Sequence, residues 1–309
     1  MRTGDRGQRG QTPSANRQRA PASDAPARGY VAAAMESDRS SPALAVVTHE
    51  SERELRRNLP GLLATAARLA TPLVVVDNGS RDRSRELLRT WRAREPGLEL
   101  VELDSNQGYA AAVNEAFSRT GGRDVMVLNP DVELDDPAPV RALASHLGRD
   151  RVGLVAPRLI GPGAEIQPTA RRIASLPAML GSLPTARALP PLRRAYERYL
   201  SPSLAETPVE VGWVIGAAML IRRRAFEEVA GFDEGFFLYM EDADFCWRLN
   251  RAGWSVDYLP AVSLRHAYAR ASSVAAGATV LGSPARRRHY LSLARYWRKH
   301  PRALVGGER

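Results

Sequence analysis

Leu73-Val74-Val75-Val76-Asp77-Asn78-Gly79-Ser80 is the stretch on which the fold turns. A leucine and three valines in a row make a strand with no polar alternation, the mark of burial on both faces. The strand stops at Asp-Asn-Gly-Ser, a cluster of turn and N-cap residues. The same pattern recurs on both sides. Upstream, Leu44-Ala45-Val46-Val47-Thr48 forms another short strand. Leu55, Leu59, Leu62, Leu63 and Ala66 then mark one face of a helix from Glu52 to Ala70. Downstream come a helix around Ser84 to Arg94, a strand from Leu98 to Leu103, a helix from about Tyr109 to Ser118, and the strand Val125-Met126-Val127-Leu128. Strands alternating with helices predict parallel βαβ units with right-handed crossovers. The expected class is α/β, a Rossmann-like, mostly parallel sheet with flanking helices.

That topology collects scattered polar residues. Thr48, Asp77, Asn106 and Asn129-Pro130-Asp131 each follow the C-terminal end of an expected strand. Ligands of open parallel sheets bind in the crevice outside those ends. No G-x-G-x-x-G follows the first strand, which argues against a nicotinamide or flavin site. Lys299 is the single lysine and has no Gly-rich turn beside it, so a P-loop is excluded.

The second half is less regular. Residues 150–210 carry Pro157, Pro162, Pro168, Pro177, Pro190 and Pro191 among many arginines, and predict loops, short strands and a mobile insertion. Val211 to Ile221 is an apolar run broken by Gly212 and Gly216. A helix from about Arg223 to Val229 follows, closed by Gly231. Phe236 to Met240 leads into Glu241-Asp242-Ala243-Asp244 and a helix carrying Phe245, Trp247 and Leu249. Val256 to Leu259 and Val262 to Leu264 predict short strands, with His266 after them.

Composition bounds the rest. The chain has 309 residues, 44% hydrophobic and 25% charged, as expected of a globular protein with a sizeable core. No apolar run reaches the ~18 residues of a membrane span, and the first 40 residues lack the apolar core of a secretory signal. One cysteine, Cys246, excludes a disulfide scaffold and fits a reducing cytoplasm. Cys246 itself reads as a small buried side chain. The net charge of +10 is divided between the ends: residues 1–40 contribute +3 and residues 284–309 contribute +7. A nucleic-acid-binding protein would carry its basicity as a stripe on the folded domain, whereas residues 41–283 are nearly neutral. Three regions are expected: a disordered tail over 1–40, one domain over 41–283, and a basic amphipathic tail over 284–309. Met35 is a candidate native start, testable by N-terminal mass spectrometry. In the basic tail Tyr290, Leu293, Ala294 and Trp297 share a helical face, surrounded by Arg286, Arg287, Arg288, Arg295, Arg298 and Lys299. Such a helix either lies on an anionic membrane surface or packs on the domain with a solvated basic face.

Several residues carry chemistry, each with a plainer alternative. Asp131 ends a strand in an Asn-Pro-Asp turn. It is either a turn residue or a carboxylate able to hold a divalent ion on a diphosphate. Asp77 is either a turn and cap residue or an acceptor for a nucleobase N–H or ribose hydroxyl. Glu241, Asp242 and Asp244 either complement the positive end of a helix or include a desolvated general base with a raised pKa. His266 is either structural or a ligand.

Seven segments in order resemble the glycosyltransferase family 2 proteins of GT-A fold, in particular the bacterial rhamnosyltransferase-like branch. They are Ala45-Val46-Val47-Thr48, Val76-Asp77-Asn78-Gly79-Ser80, Asn106-Gln107-Gly108-Tyr109-Ala110, Leu128-Asn129-Pro130-Asp131, Val229-Ala230-Gly231-Phe232-Asp233-Glu234, Glu241-Asp242-Ala243-Asp244-Phe245-Cys246-Trp247-Arg248, and His266. The resemblance runs from about Leu44 to Ser273. It implies that Thr48 and Asp77 line the nucleotide pocket, with Asp77 on the base, and that Asn106, Gly108 and Asn129 border the donor. Asp131 would be the metal-binding carboxylate of a DxD-type site. Asp242 would be the general base, supported by Glu241 and Asp244. His266 would contact the metal or the diphosphate, and Arg248 the donor phosphates or the acid cluster.

The resemblance further implies an inverting transfer of a sugar, rhamnose as the first guess, from a nucleoside diphosphate sugar. The acceptor would be a hydroxyl of a cell-envelope glycan or lipid-linked molecule. Mg²⁺ or Mn²⁺ would assist, at the inner face of the plasma membrane and with no nucleic acid partner. Two departures stand out: Glu50 replaces a frequent Asn and is expected to point away from the phosphates, and Ala267-Tyr268-Ala269-Arg270 replaces a Gly-rich stretch. The rivals are a sugar-nucleotide nucleotidyltransferase, disfavoured because Val47-Thr48-His49-Glu50-Ser51 has no glycine, and a non-catalytic sugar-nucleotide-binding homologue.

Overall fold

The computed structural model describes residues 41–267 and 284–305. The disorder expected of 1–40 and the departure at Tyr268-Ala269-Arg270 lie outside them.

The first half follows the predicted alternation. Strand β1 (Ala43–Thr48) leads to α1 (Glu52–Leu69), β2 (Leu73–Asp77), α2 (Ser84–Arg94), β3 (Leu98–Glu102), α3 (Tyr109–Ser118) and β4 (Val125–Leu128). β1, β2, β3 and β4 are parallel, in the spatial order β3-β2-β1-β4. Side chains alternate faces along a strand, so β1 feeds two cores. Leu44 and Val46 pack with Leu55, Leu59 and Leu62 of α1. Ala45 and Val47 pack with Ala112, Val113 and Phe117 of α3. Helices therefore cover both faces, as continuous apolar strands require.

The chain continues through β5 (Val132–Glu133), α4 (Ala138–Leu147), β6 (Val152–Ile160), β7 (Ala170–Arg171), α5 (Leu176–Gly181) and α6 (Pro190–Leu200). Next come β8 (Val209–Glu210), β9 (Trp213–Val214), β10 (Ala218–Ile221), α7 (Arg223–Glu228), α8 (Glu241–Arg251), β11 (Ser255–His266) and α9 (Pro284–Lys299). β10 enters antiparallel beside β4, and the sheet runs on as β10-β6-β11-β5. The segment expected to be loops thus holds a nine-residue strand of the central sheet and two helices. Its prolines sit where they cost little. Pro177, Pro190 and Pro191 occupy first helical turns, which need no N–H donor there. Pro157 sits where β6 meets a register break in β11 between Leu259 and Ser263. That break divides the two short strands expected over 256–264, which are one strand.

Helix α9 is seated on the domain. Leu293 and Tyr296, with Ala303 beyond the helix, belong to the same apolar core as α3 and α8. Its buried face is Ser292, Leu293, Tyr296 and His300. Of the expected face, Leu293 is buried and Trp297 packs against the core and donates Nε1–H to Ala174 O (2.8 Å), while Tyr290 is 39% exposed and Ala294 is exposed. The buried face also takes in two polar, partnered residues that hydropathy does not mark. Ser292 Oγ donates to Leu238 O (2.8 Å), and His300 Nε2 pairs with Asp244 Oδ1 (2.7 Å).

Candidate active site

The parallel register places Thr48 directly opposite Asp77 at the carboxyl ends of β1 and β2. Both are buried. Asp77 Oδ2 accepts from Arg85 Nε (2.7 Å) and from Ser80 N (3.1 Å). Among the described residues Asp77 Oδ1 and Thr48 Oγ1 have no hydrogen-bond partner. A buried carboxylate oxygen left without a donor is costly unless something supplies one. The adjoining loop is locked by Asn78, whose Nδ2 donates to Asn106 Oδ1 (3.2 Å) and Gly108 O (3.0 Å) while its Oδ1 accepts from Gln107 N (2.8 Å). Asn106 and Gly108 are thereby held beside the carboxyl end of β2. Glu50 is exposed, as expected.

Asn129 follows β4, and its N–H donates to Ala217 O (2.9 Å). The neighbouring Gly216 N donates to Asp242 Oδ2 (3.0 Å), and the Tyr109 hydroxyl donates to Gly216 O. The Gly216-Ala217 hinge thus ties the end of β4 to the start of α8. Asn129, Glu241 and Asp242 line one cavity of about 490 Å³ together with Tyr109, Trp213 and Gly216.

Tyr239 and Met240, just before α8, both adopt left-handed backbone (φ 70° and 67°). Such a conformation costs about 1–2 kcal/mol per residue, and it aims the first turn of the helix at the cavity. Both acids are buried. Burial, and then the neighbouring Asp242, push the Glu241 carboxyl well above its ordinary range. Burial also raises Asp242, but N–H groups of Gly216 and Ala243 and the charge of Arg171 oppose it. Glu241 Oε2 has no partner among the described residues. Of the two, Asp242 has the better-supported carboxylate, and Glu241 is pushed further above its ordinary range.

Asp244 does not share their site. It lies two residues past Asp242, about 200° around the helix. Its carboxylate faces Arg248 Nε (2.8 Å), Lys299 Nζ (2.7 Å) and His300 Nε2 (2.7 Å). Arg248, expected on the donor phosphates or on the acid cluster, takes the second place through Asp244. One turn from Asp244 on the same helix, it also donates to Val229 O and lies over the Phe245 ring. It does not line the cavity.

Asp131 and His266 meet across the β5–β11 pairing, where His266 is opposite Val132. Asp131 Oδ1 is 3.2 Å from His266 Nε2. Gln167, unmarked in the sequence, sets the imidazole. Its Nε2 donates to His266 O (3.1 Å), which leaves Oε1 to accept from Nδ1–H (2.7 Å). With Nδ1 turned to Gln167, Nε2 is the ring atom that faces the Asp131 carboxylate. One oxygen and one nitrogen facing each other suit a divalent cation between them. No group of three or more metal-ligating side chains occurs among the described residues. A cation held here would complete its shell with ligand or water oxygens, as Mg²⁺ and Mn²⁺ do on diphosphates.

The architecture matches that of known sugar-transferring enzymes. GalNAc-T7, solved with UDP, GalNAc and Mn²⁺, superposes with a TM-score of 0.58 over 87% of this chain and 53% of its own length, at 17% identity. The mannosyltransferase PcManGT of Pyrobaculum calidifontis, solved with GDP-Man and Mn²⁺, gives 0.55 over 85% of this chain and 65% of its own, at 19% identity. This chain thus spans about half to two thirds of those structures. The fold is GT-A, and the protein is a glycosyltransferase. More narrowly, the chain belongs to glycosyltransferase family 2. The description "Glycosyl transferase family 2" matches residues 44–230, and "Glycosyl transferase family group 2" matches residues 196–300. A relative in Mycobacterium tuberculosis, the N-acetylglucosaminyl-diphospho-decaprenol L-rhamnosyltransferase, is 34% identical over 238 residues, which cover 71% of this chain and 74% of the relative. No helix among the described residues is long and apolar enough to cross a membrane.

Proposed function

We propose that the enzyme transfers a sugar, with inversion, from a nucleoside diphosphate sugar to a hydroxyl of a lipid-linked or cell-envelope glycan acceptor at the inner face of the plasma membrane. Rhamnose is the first donor sugar to test, by likeness to the mycobacterial relative. The observation that carries the proposal is the buried Glu241–Asp242 pair in a cavity shared with Asn129.

Thr48 and the open oxygen of Asp77 take up the nucleoside, and the Asn106–Gly108 wall borders it. Asp131 and His266 are the residues to hold a divalent cation. A divalent cation held by them would supply positive charge to offset the departing diphosphate. The acceptor oxygen forms a bond to the anomeric carbon as the bond from that carbon to the phosphate oxygen breaks. Asp242 receives the acceptor proton. Burial and the neighbouring Asp242 disfavour the ionised form of Glu241, which limits the negative charge next to that base. The transition state is oxocarbenium-like, as in glycoside hydrolysis.

Asp242→Asn tests the assignment. Turnover should fall by about 10²–10⁴-fold, while nucleoside diphosphate affinity, measured by calorimetry, persists. Normal turnover at saturating donor would remove Asp242 from the role of base.

A further inference from the structure

We propose that Arg171 and His289 form an anion subsite in the cavity of Glu241 and Asp242, which binds the phosphate of a phosphate-linked acceptor. The proposal rests on the glycosyl-transfer reading above and specifies the acceptor's chemistry.

Arg171 ends β7 and pairs in register with Trp213 of β9. Its guanidinium lies over the Trp213 ring (4.9 Å to the centroid) and the Tyr199 ring (5.6 Å). Nε donates to Pro168 O (2.9 Å) and Nη1 to the Tyr199 hydroxyl (3.4 Å). The cation is thus fixed in place before any ligand arrives, and it lines the cavity that Glu241 and Asp242 line. His289 reaches the same cavity from α9, edge-on to Tyr239 at 5.3 Å. Burial and the charge of Arg171 both lower the His289 pKa. A neutral imidazole beside a fixed guanidinium offers one N–H donor and one full positive charge, a suitable set for a phosphate oxygen.

The donor diphosphate has its own place at Asp131 and His266, and neither residue lines this cavity. Arg171 and His289 share the cavity with Asp242, whose carboxyl the Arg171 charge reaches. An acceptor sugar with its hydroxyl at Asp242 and a phosphate on its anomeric carbon would bring that anion into the same cavity. Ile215, Ala217, Leu238 and Met240 add apolar wall beside the Trp213, Tyr239 and Tyr290 rings. Apolar and aromatic surface around a cation suits an amphiphile with an anionic head.

The test uses the full chain and farnesyl diphosphate as probe, titrated calorimetrically with the donor site first saturated by deoxythymidine diphosphate and Mn²⁺. Wild-type protein should bind the probe. Arg171→Gln should weaken binding about 10- to 100-fold, the scale of a lost hydrogen bond to a charged group. His289→Leu should weaken it less. Affinity for deoxythymidine diphosphate should stay unchanged in both variants, which also shows that they fold, and farnesol binding should not depend on Arg171. The subsite is refuted if the wild type does not bind the probe, if the nucleotide displaces it competitively, or if Arg171→Gln binds it equally well. Arg171-dependent probe binding in a protein that binds no nucleoside diphosphate would uphold the subsite and overturn the donor assignment instead.

Discussion

Asp244→Asn separates the structural acid from the catalytic ones. The Asp244 side chain is fully buried and faces Arg248 on its own helix and Lys299 and His300 at the end of α9. Burial works to raise its pKa, but His300, Arg248 and Lys299 together outweigh burial and hold it at about 2, against an ordinary 3.8. A carboxyl with a depressed folded-state pKa stabilises the protein above its unfolded-state value, and that stability is lost as pH falls through the folded value. Here the difference corresponds to about 2 kcal/mol, fully present at pH 7. About 1 kcal/mol of it is lost by pH 3. Asparagine also leaves the cations facing a neutral group, and breaking a buried pair in this way costs about 3–5 kcal/mol. Urea denaturation at pH 7 should therefore show Asp244→Asn destabilised by about 3 kcal/mol or more. The gap from wild type should narrow by about 1 kcal/mol at pH 3, because asparagine does not titrate. A loss below about 1 kcal/mol, or a gap that stays constant between pH 7 and pH 3, would refute the claim that this cluster fastens α9 to the catalytic helix.

Two further outcomes follow from the site's geometry. Gly108 has φ +93°, and a Cβ there would lie 2.5 Å from Phe237 O. Gly108→Ala should lower stability by about 2–4 kcal/mol in thermal unfolding and weaken nucleoside diphosphate binding, because the clash pushes the donor wall away from the loop before Glu241. Gln167→Leu removes both hydrogen bonds that orient His266, and should weaken Mn²⁺ binding by about 10- to 100-fold in an electron paramagnetic resonance titration. Gln167→Glu, which keeps the acceptor on Nδ1–H, should recover part of that loss, and equal Mn²⁺ affinity in all three proteins would refute the positioning role.

The first four strands were legible because each apolar run is short, β-branched and stopped by polar turn residues, so local pattern and tertiary burial agree. The gathering of Thr48 and Asp77 at the carboxyl edge of the sheet followed from topology alone. Other features depend on contacts between distant segments. Asp131 and His266 are 135 positions apart, and Gln167, which orients the imidazole, sits in a stretch that reads as loop. The left-handed turn at Tyr239-Met240 gives no local signal, since neither residue favours positive φ. The acid cluster reads as one unit in sequence. The helix turns it into two, because successive residues point about 100° apart.

That division also changes what the tail's charge means. The +7 of residues 284–309 invites an external partner. Yet Lys299 pairs with both Asp233 and Asp244 (2.7 Å each), Arg295 with Asp233 (3.4 Å) and His300 with Asp244 (2.7 Å). Part of the basic tail is thus internal counter-charge for carboxylates of the catalytic domain. Arg287, Arg288, Arg298 and Arg302 remain exposed, and Arg288 lies over the Phe237 ring (4.4 Å). Among the described residues of the tail, attraction to an anionic lipid surface would fall to these arginines, each worth about 1 kcal/mol there. Replacing Lys299 would instead unfasten the helix, so a membrane-binding assay on a truncated tail would mix the two effects. Charge reversal confined to Arg287 and Arg298 probes the surface while leaving the counter-ions of Asp233 and Asp244 in place.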